Sequence, residues 1–232
     1  MLKQLTRLLL ISSLSLGGIV SSNLVLHDSV ILNDIVQPST MKDIMKEFTN
    51  DGFLSRFMTT DILIDSPGGE VHSEHMLTNL KEFKERNTVG RVYGMAASAA
   101  SMIFLNTKHR IMHKDSRILI HEVRLMSDNI ILTYSDLKSI LENGTLAPGS
   151  VMHTTEENDK QFVEAVKQQL GKHLKEIVDR MHDTMEKDIA DLMRLTGKDR
   201  KWVTTNLLIS NVDNEITAQK ALKLGLIHEI EG

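Results

Sequence analysis

Three short segments carry the residue types that acyl-transfer chemistry needs, and each follows a short apolar run. They are Ser-Pro-Gly-Gly at 66–69, Gly-Met-Ala-Ala-Ser at 94–98 and Ile-Leu-Ile-His at 118–121. A serine hydroxyl becomes a nucleophile when a base, usually a histidine, takes its proton. A glycine turn leaves backbone N–H groups uncovered, and such groups can stabilise an oxyanion. The three segments together therefore predict a serine hydrolase.

Ser98 is the predicted nucleophile because it follows two alanines at the expected start of a helix. The free N–H groups and the dipole of a helix start favour developing negative charge. Gly69 and Ala99 would supply the two N–H donors of an oxyanion hole, in which loss of one donor costs about 3 kcal/mol. Pro67 and Gly68 would shape the supporting turn. The residues around Ser98 do not form a Gly-x-Ser-x-Gly motif, which disfavours an α/β-hydrolase.

The elements that must position these segments alternate between strands and helices. Apolar runs predict strands, and stretches with apolar residues three or four positions apart predict helices. The predicted strands cover 24–32, 61–65, 89–93 and 117–121, and the predicted helices cover 41–57, 70–86 and 96–105. Thr217 should cap a last helix over 218–224, before a last strand that starts at Leu226 and Ile227. This alternation is typical of an α/β fold with parallel strands.

A long amphipathic helix is predicted from about Thr155 to Leu195, after a shorter helix over 134–141. Thr154 and Glu157 have the spacing of a capping box, and Gly171 would introduce a bend. About 40 helical residues span roughly 60 Å, so we expect this helix to project. Its apolar stripe consists of Phe162, Val166, Leu170, Leu174, Ile177, Met181, Met185, Ile189 and Leu192. We expect the stripe to form an oligomer contact, and the alternative is that it packs on its own domain.

The composition excludes several classes of function. The 232 residues carry a net charge of −4 and only 4% aromatic residues, so nothing indicates a nucleic-acid partner. There is no cysteine, which excludes disulfides, a thiol nucleophile and cysteine-bound zinc. The pairs His72/His75 and His109/His113 have helical spacing but no clear third ligand, so we expect surface histidines and no metal site. No cofactor is indicated.

The N-terminus has the pattern of a secretory signal. Lys3 and Arg7 precede the apolar run 8–11, and a serine- and glycine-rich apolar stretch continues to about Ser22. Residues 1–22 are therefore predicted to be a signal peptide or membrane anchor of an exported or periplasmic protein, with the main domain over 23–232. The alternative is a mature N-terminal helix of a cytoplasmic protein.

The three motifs resemble those of ClpP, the proteolytic subunit of the Clp protease, within the wider Clp/crotonase fold. The resemblance runs from about Leu24 to Glu229, and the 29 residues between Gly69 and Ser98 match the spacing of that family. It implies an α/β fold of repeated β-β-α and βα units. It also implies a long projecting helical handle used for oligomerisation, here extended over about 125–197.

The resemblance also implies a serine endopeptidase that works through an acyl-enzyme and a triad of Ser98, His121 and Asp213. Asp213 takes the acid position by counting back from Gly225, and Asp115 is the fallback. The chain departs from the family in two places. Val212 replaces an arginine that matters in ring assembly, and residues 122–125 replace a Gln-Pro and glycine-rich strand that aligns the substrate.

The partners that the resemblance implies depend on the compartment. The substrate would be a peptide or an unfolded protein, and the chain would form a homo-oligomer of one ring or stacked rings. An ATP-dependent unfoldase is a possible partner only for a cytoplasmic protein. An exported protein would cleave peptides or flexible segments unaided.

Three other functions are compatible with the sequence. The first is a signal-peptide-peptidase-like protease with a Ser–Lys dyad, in which Lys108 or Lys114 acts as the base. The second is a crotonase-type acyl-CoA enzyme, in which Ser98 would be incidental. The third is a catalytically inactive scaffold or subunit that assembles through the long helix.

Overall fold

One seven-stranded sheet lies at the centre of the parts of the chain that can be described. The computed structural model describes residues 27–49, 59–127 and 130–232, so the predicted signal or anchor over 1–22 lies outside the described residues. The strands are β1 (His27–Leu32), β2 (Thr59–Ser66), β3 (Asn87–Ala97), β4 (His109–His113), β5 (Arg117–Ile120), β8 (Asn214–Thr217) and β9 (Glu229–Glu231).

Parallel pairing dominates this sheet. The strands β1, β2, β3, β4 and β9 lie side by side in that order, and each of these pairs is parallel. The long strand β3 pairs with β4 through residues 89–92 and with β5 through residues 95–97. Only β8 runs antiparallel, against β5. The predicted α/β fold with parallel strands is confirmed, and β2, β3 and β5 end at the same edge of the sheet.

Short helices cover the sheet and bury its apolar residues. They are α1 (Pro38–Thr49), α2 (Val71–Thr78), α3 (Lys81–Glu85), α4 (Ala99–Leu105), α8 (Arg200–Asn206) and α9 (Ala218–Lys223). Every residue of α4 is buried, because its small and apolar side chains pack in the main core. The Thr217 hydroxyl accepts a hydrogen bond from the Lys220 N–H at 3.4 Å, which confirms the predicted cap of α9.

Several predicted boundaries are wrong, and at the end of β3 the cause is strand pairing that overrides a local pattern. The predicted helix over 70–86 is interrupted at Asn79 and Leu80. Ala96 and Ala97 extend β3, where they pair with β5, instead of starting a helix. The last strand, β9, starts at Glu229 rather than at Leu226. Strand β4 was not predicted, and its His109 ring stacks on the His228 ring with centroids 4.7 Å apart.

The segment after β5 combines a hairpin with three helices. Strands β6 (Arg124–Ser127) and β7 (Ile130–Thr133) pair antiparallel and lead into α5 (Tyr134–Asn143), α6 (Glu156–Leu170) and α7 (His173–Thr196). The prediction of one helix from Thr155 to Leu195 is wrong, because Gly171 ends α6 with φ 48° and ψ −127°. Thr155, not Thr154, caps α6 by accepting from the Asn158 N–H. Helix α5 matches its prediction.

The apolar stripe of α6 and α7 is buried by the chain itself. The first half of α7 packs in a second apolar cluster, and its second half packs in the main core. The buried members of the second cluster are Leu132, Leu137, Ile140, Leu146, Val163, Val166, Leu174, Val178 and Met181. The stripe is therefore not an exposed assembly surface, because β7 and α5 supply the partners that the sequence pattern could not reveal.

The structure also bears on membrane association. Of the helices in the described ranges, none has the length and apolar character needed to cross a bilayer.

Candidate active site

The three sequence motifs meet at one edge of the sheet. Strand β2 leads into the turn 67–69, β3 leads into Ser98, and β5 leads into His121. Ser66 at the end of β2 pairs with Ala96 of β3, and β3 also pairs with β5, so the three strand ends are adjacent. In open parallel sheets the carboxyl ends of strands are the usual place for a ligand site. A cavity of about 400 Å³ lies there, and Ser98 and His121 both line it.

Ser98 has a strained backbone. Its φ of 52° and ψ of −126° lie in a region that residues other than glycine rarely adopt, at a cost of about 1–3 kcal/mol. Two hydrogen bonds hold this conformation: the Ser98 N–H donates to the Leu119 carbonyl at 2.9 Å, and the Ser101 hydroxyl donates to the Ser98 carbonyl at 2.6 Å. A strained serine on a strand-to-helix turn is the geometry of a nucleophile elbow. The sequence did not predict this elbow, because it lacks a Gly-x-Ser-x-Gly motif.

Gly68 allows the turn after β2 to lie directly against Ser98. A Cβ at position 68 would lie 2.4 Å from the Ala97 carbonyl oxygen and 2.7 Å from the Ser98 Cβ, and the φ of Gly68 is +92°. Its N–H donates to the Ser66 hydroxyl at 3.2 Å, and its carbonyl accepts from the Val36 N–H at 2.8 Å. The turn is thus fixed by its own neighbours, as expected for a supporting element.

The two N–H groups predicted for an oxyanion hole are available. Gly69 and Ala99 both line the cavity, and neither N–H donates a hydrogen bond to another described residue. Ala99 is the first residue of α4, where a backbone N–H has no partner within the helix. A Cβ at position 69 would lie 2.2 Å from the Val36 carbonyl oxygen, so glycine is required there.

The His121 ring is held in one orientation by a backbone group. Its Nδ1 lies 2.6 Å from the Glu122 carbonyl oxygen, so Nδ1 carries the proton and Nε2 keeps its lone pair. Burial is the main cause that lowers the pKa of His121, and the Arg124 cation lowers it further. The Glu122 carbonyl and the Asp213 carboxylate oppose this shift. The ring is therefore neutral at neutral pH, as a general base must be.

Ser98 and His121 line the same cavity but are not hydrogen-bonded to each other. Within the described residues, no hydrogen bond joins the Ser98 hydroxyl to the His121 ring. Catalytic hydrogen bonds are often long in ligand-free structures and tighten when substrate binds. The arrangement places the predicted nucleophile and the predicted base at one cavity.

Asp213 makes no hydrogen bond or ion pair with His121 among the described residues, although its carboxylate acts to raise the pKa of His121. Its carboxylate forms an ion pair with the Arg124 guanidinium, its side chain is 53% exposed, and it does not line the cavity. The group that orients His121 here is instead the Glu122 carbonyl. The fallback, Asp115, is also outside the cavity, and its carboxylate lies 3.8 Å from the His113 Nδ1. Ser98 and His121 are thus placed together, whereas neither predicted acid joins them.

The lysines of the alternative dyad lie elsewhere. The Lys108 ammonium donates to the Glu85 carbonyl at 2.9 Å, and neither Lys108 nor Lys114 lines the cavity. The described residues also contain no cluster of three or more histidine, aspartate or glutamate side chains that could hold a metal ion.

Two acidic residues at the cavity were missed by sequence reasoning. Glu74 and Asp188 both line it and are almost fully buried. Burial raises the pKa of both, and for Asp188 burial together with the nearby Glu74 raises the pKa to about 8. The signal in the sequence was an aspartate within the apolar stripe, directly before Ile189.

Comparisons with known proteins agree with the fold. The family model described as Clp protease matches residues 18–232. A ClpP1 mutant from Listeria monocytogenes is 15% identical with a TM-score of 0.56, over 88% of this chain and 90% of that chain. A peptidase from Plasmodium falciparum is 13% identical with a TM-score of 0.56, over 88% of this chain and 95% of that chain. The comparison with curated protein sequences found no match. At these identities the two structures show similarity of fold alone.

Proposed function

The chain belongs to the Clp protease family, and from this premise we propose that it is a serine endopeptidase with Ser98 as nucleophile and His121 as base. The observation that carries the proposal is the strained Ser98 at the end of β3, in one cavity with His121 and two unused N–H groups. Strain of this kind persists only where the surrounding structure enforces it, and it clusters at active sites.

The first half of the reaction forms an acyl-enzyme. The Ser98 Oγ attacks the carbonyl carbon of the peptide while the His121 Nε2 takes the hydroxyl proton. The N–H groups of Gly69 and Ala99 donate to the oxyanion of the tetrahedral intermediate. His121 then gives its proton to the leaving amine, and the C–N bond breaks.

The second half releases the acyl-enzyme by hydrolysis. A water molecule gives a proton to the His121 Nε2 and attacks the ester carbonyl, and the same two N–H groups hold the oxyanion. The ester bond then breaks, and the proton returns to the Ser98 Oγ. Because burial lowers the pKa of His121, the ring is ready to accept a proton in each half.

Asp213 has a conditional role in this proposal. Its carboxylate already favours the imidazolium electrostatically, and it can hydrogen-bond and orient the His121 ring once its ion pair with Arg124 opens. Until then the Glu122 carbonyl fixes the ring. The proposed substrate is a peptide or an unfolded chain, and the proposed assembly is a homo-oligomer.

One observation favours a second candidate, a subunit without catalytic activity. Asp213 is paired with Arg124 rather than with His121, and no hydrogen bond joins Ser98 to His121 among the described residues. A scaffold of this family would need neither contact.

Labelling with a fluorophosphonate probe tests the proposal. We expect the purified full-length chain to become labelled, because an activated serine attacks the phosphorus atom. Ser98→Ala and His121→Ala should reduce the labelling rate by at least about 100-fold. The control is Ser139→Ala, since Ser139 lies in α5 away from the cavity, and it should label like the wild type.

Each other outcome has a definite meaning. No labelling of a folded wild type would refute the peptidase and favour the scaffold. Labelling that survives His121→Ala would point to a different base. Labelling that survives Ser98→Ala would place the nucleophile elsewhere.

A further inference from the structure

An aspartate occupies a core position on α7. Met185, Asp188, Ile189 and Leu192 lie three or four residues apart, so they share the face of α7 that packs on the main core. Asp188 is only 7% exposed. An apolar residue would be expected at such a position, because aspartate is almost never fully buried unless it is paired.

Asp188 is without a hydrogen-bond partner among the described residues. The other buried acid of the cavity, Glu74, is satisfied: the Thr78 hydroxyl donates to it at 2.9 Å, and the Lys187 ammonium lies 3.4 Å from it. The Arg124 cation at the cavity is paired with Asp213. Asp188 is therefore the acid in this part of the chain that retains an unsatisfied carboxyl group.

That carboxyl group faces the same cavity as the proposed catalytic residues. Asp188 lines it together with Ser98 and His121, and the apolar side chains of Met102 and Leu208 line it as well. An acid beside apolar side chains suits a lysine or arginine side chain, which buries its aliphatic stem against apolar groups and presents a cation at its end.

The charges around Asp188 make it responsive to a cation. Burial raises its pKa most, Glu74 and Asp191 raise it further, and Lys187 opposes them, so the pKa is about 8. In these surroundings the carboxyl group is mostly protonated at neutral pH. A cation placed beside it would favour the carboxylate and form a buried, charge-assisted pair.

We propose that Asp188 is a specificity-determining residue that binds a lysine or arginine side chain of the substrate beside the bond that Ser98 attacks. This inference rests on the proposed peptidase function. It names the substrate class as peptides with a basic residue at the cleavage site.

Matched fluorogenic peptides test the inference on the full-length protein. One peptide carries lysine before the scissile bond, and the other carries norleucine, which has the same carbon chain without the ammonium. We expect kcat/KM of the wild type to be at least about tenfold higher for the lysine peptide. Asp188→Asn should remove most of this preference and leave the norleucine peptide within about threefold of the wild type.

The control variant is Asp183→Asn, which makes the same substitution at an exposed position of α7. It should keep the lysine preference. A wild type that prefers norleucine, or an Asp188→Asn variant with an unchanged ratio, would overturn the inference. Fluorophosphonate labelling of Asp188→Asn at the wild-type rate shows that its site is folded.

Binding to Ser98→Ala separates this inference from the proposed function, because binding needs no nucleophile. Fluorescence anisotropy of the two peptides should show at least about tenfold tighter binding of the lysine peptide, lost in Ser98→Ala/Asp188→Asn. If this holds while the wild type hydrolyses nothing, the peptidase proposal fails and the cation pocket stands. If the wild type hydrolyses both peptides but neither assay shows a lysine preference, only the pocket fails.

Discussion

The chemistry of individual residues in this site depends on which neighbours they contact. Ser98 keeps its strained conformation because Leu119 and Ser101 bond its backbone. His121 keeps its Nε2 lone pair because the Glu122 carbonyl engages Nδ1. Asp213 is engaged by Arg124, which lies only three positions after His121 in the chain. A competing cation thus pairs with the predicted acid, which makes no hydrogen bond to the His121 ring.

At this scale we predict the pH dependence of the base. Burial and Arg124 lower the pKa of His121, so kcat/KM should fall only below the pKa of an ordinary histidine, about 6.5. Arg124→Met removes a cation that lowers this pKa and frees Asp213, which raises it. The acidic limb of the kcat/KM profile should therefore move to higher pH in Arg124→Met.

Arg124→Lys serves as the control, because it keeps the positive charge and should keep the acidic limb near that of the wild type. If the acidic limb of the kcat/KM profile lies at the same pH in Arg124→Met as in the wild type, Arg124 does not influence the pKa of His121.

At the scale of the elements, α7 connects the two apolar clusters. Its first half packs with α5, α6 and β7, and its second half packs under the sheet and presents Asp188 to the cavity. The break at Gly171 allows α6 to return toward α5 and bury its own apolar face. A single straight helix would have left that face without a partner.

The end of α6 at Gly171 predicts whether Gly171→Ala stabilises or destabilises the protein. In a continuous helix, Gly171→Ala would stabilise the protein by about 1 kcal/mol. At the observed φ of 48° and ψ of −127°, an alanine is strained, and we expect a loss of about 1–3 kcal/mol in the free energy of unfolding. Urea denaturation measures this difference.

Lys172→Ala is the matched control, because Lys172 is exposed and has ordinary helical angles. It should change the free energy of unfolding by less than about 0.5 kcal/mol. A more stable Gly171→Ala variant would contradict the break between α6 and α7.

At the scale of the whole molecule, the exposed apolar residues are not those of the stripe that was expected to form an oligomer contact. The stripe of α6 and α7 is buried, whereas Met126 of the β6–β7 hairpin is 69% exposed and Ile35 is 50% exposed. Both side chains line the mouth of the cavity. If the chain assembles, contacts near this mouth would cover them.

We expect sedimentation velocity of the full-length chain at micromolar concentration to show a homo-oligomer. Met126→Lys should weaken assembly by about tenfold or more in the dissociation constant, because it places a charge in an apolar contact. Val151→Lys, at a position 64% exposed in the loop between α5 and α6, should not.

A wild type that sediments as a single protomer would refute the expected assembly. Equal effects of the two substitutions would show that the hairpin is not the contact.

The sequence by itself determined the parts of this protein that depend on local patterns. Apolar runs followed by glycine, serine or histidine were enough to predict strand ends that bring Gly69, Ser98, Ala99 and His121 to one cavity, and their catalytic roles stay predictions. Strands and helices of this length follow from side-chain periodicity, and glycine is required where a turn approaches a neighbour closely. The motifs and their spacing were also enough to indicate the family, which the family model then confirmed.

Only the tertiary structure decided how these parts interact. The pairing of Arg124 with Asp213 joins residues 89 positions apart, and the burial of Asp188 requires α7 to pack on the main core. The strain at Ser98 and the burial of the apolar stripe also depend on contacts with residues that are distant in the chain. Such features depend on which distant segments compete for the same groups, and a local pattern contains no information about that competition.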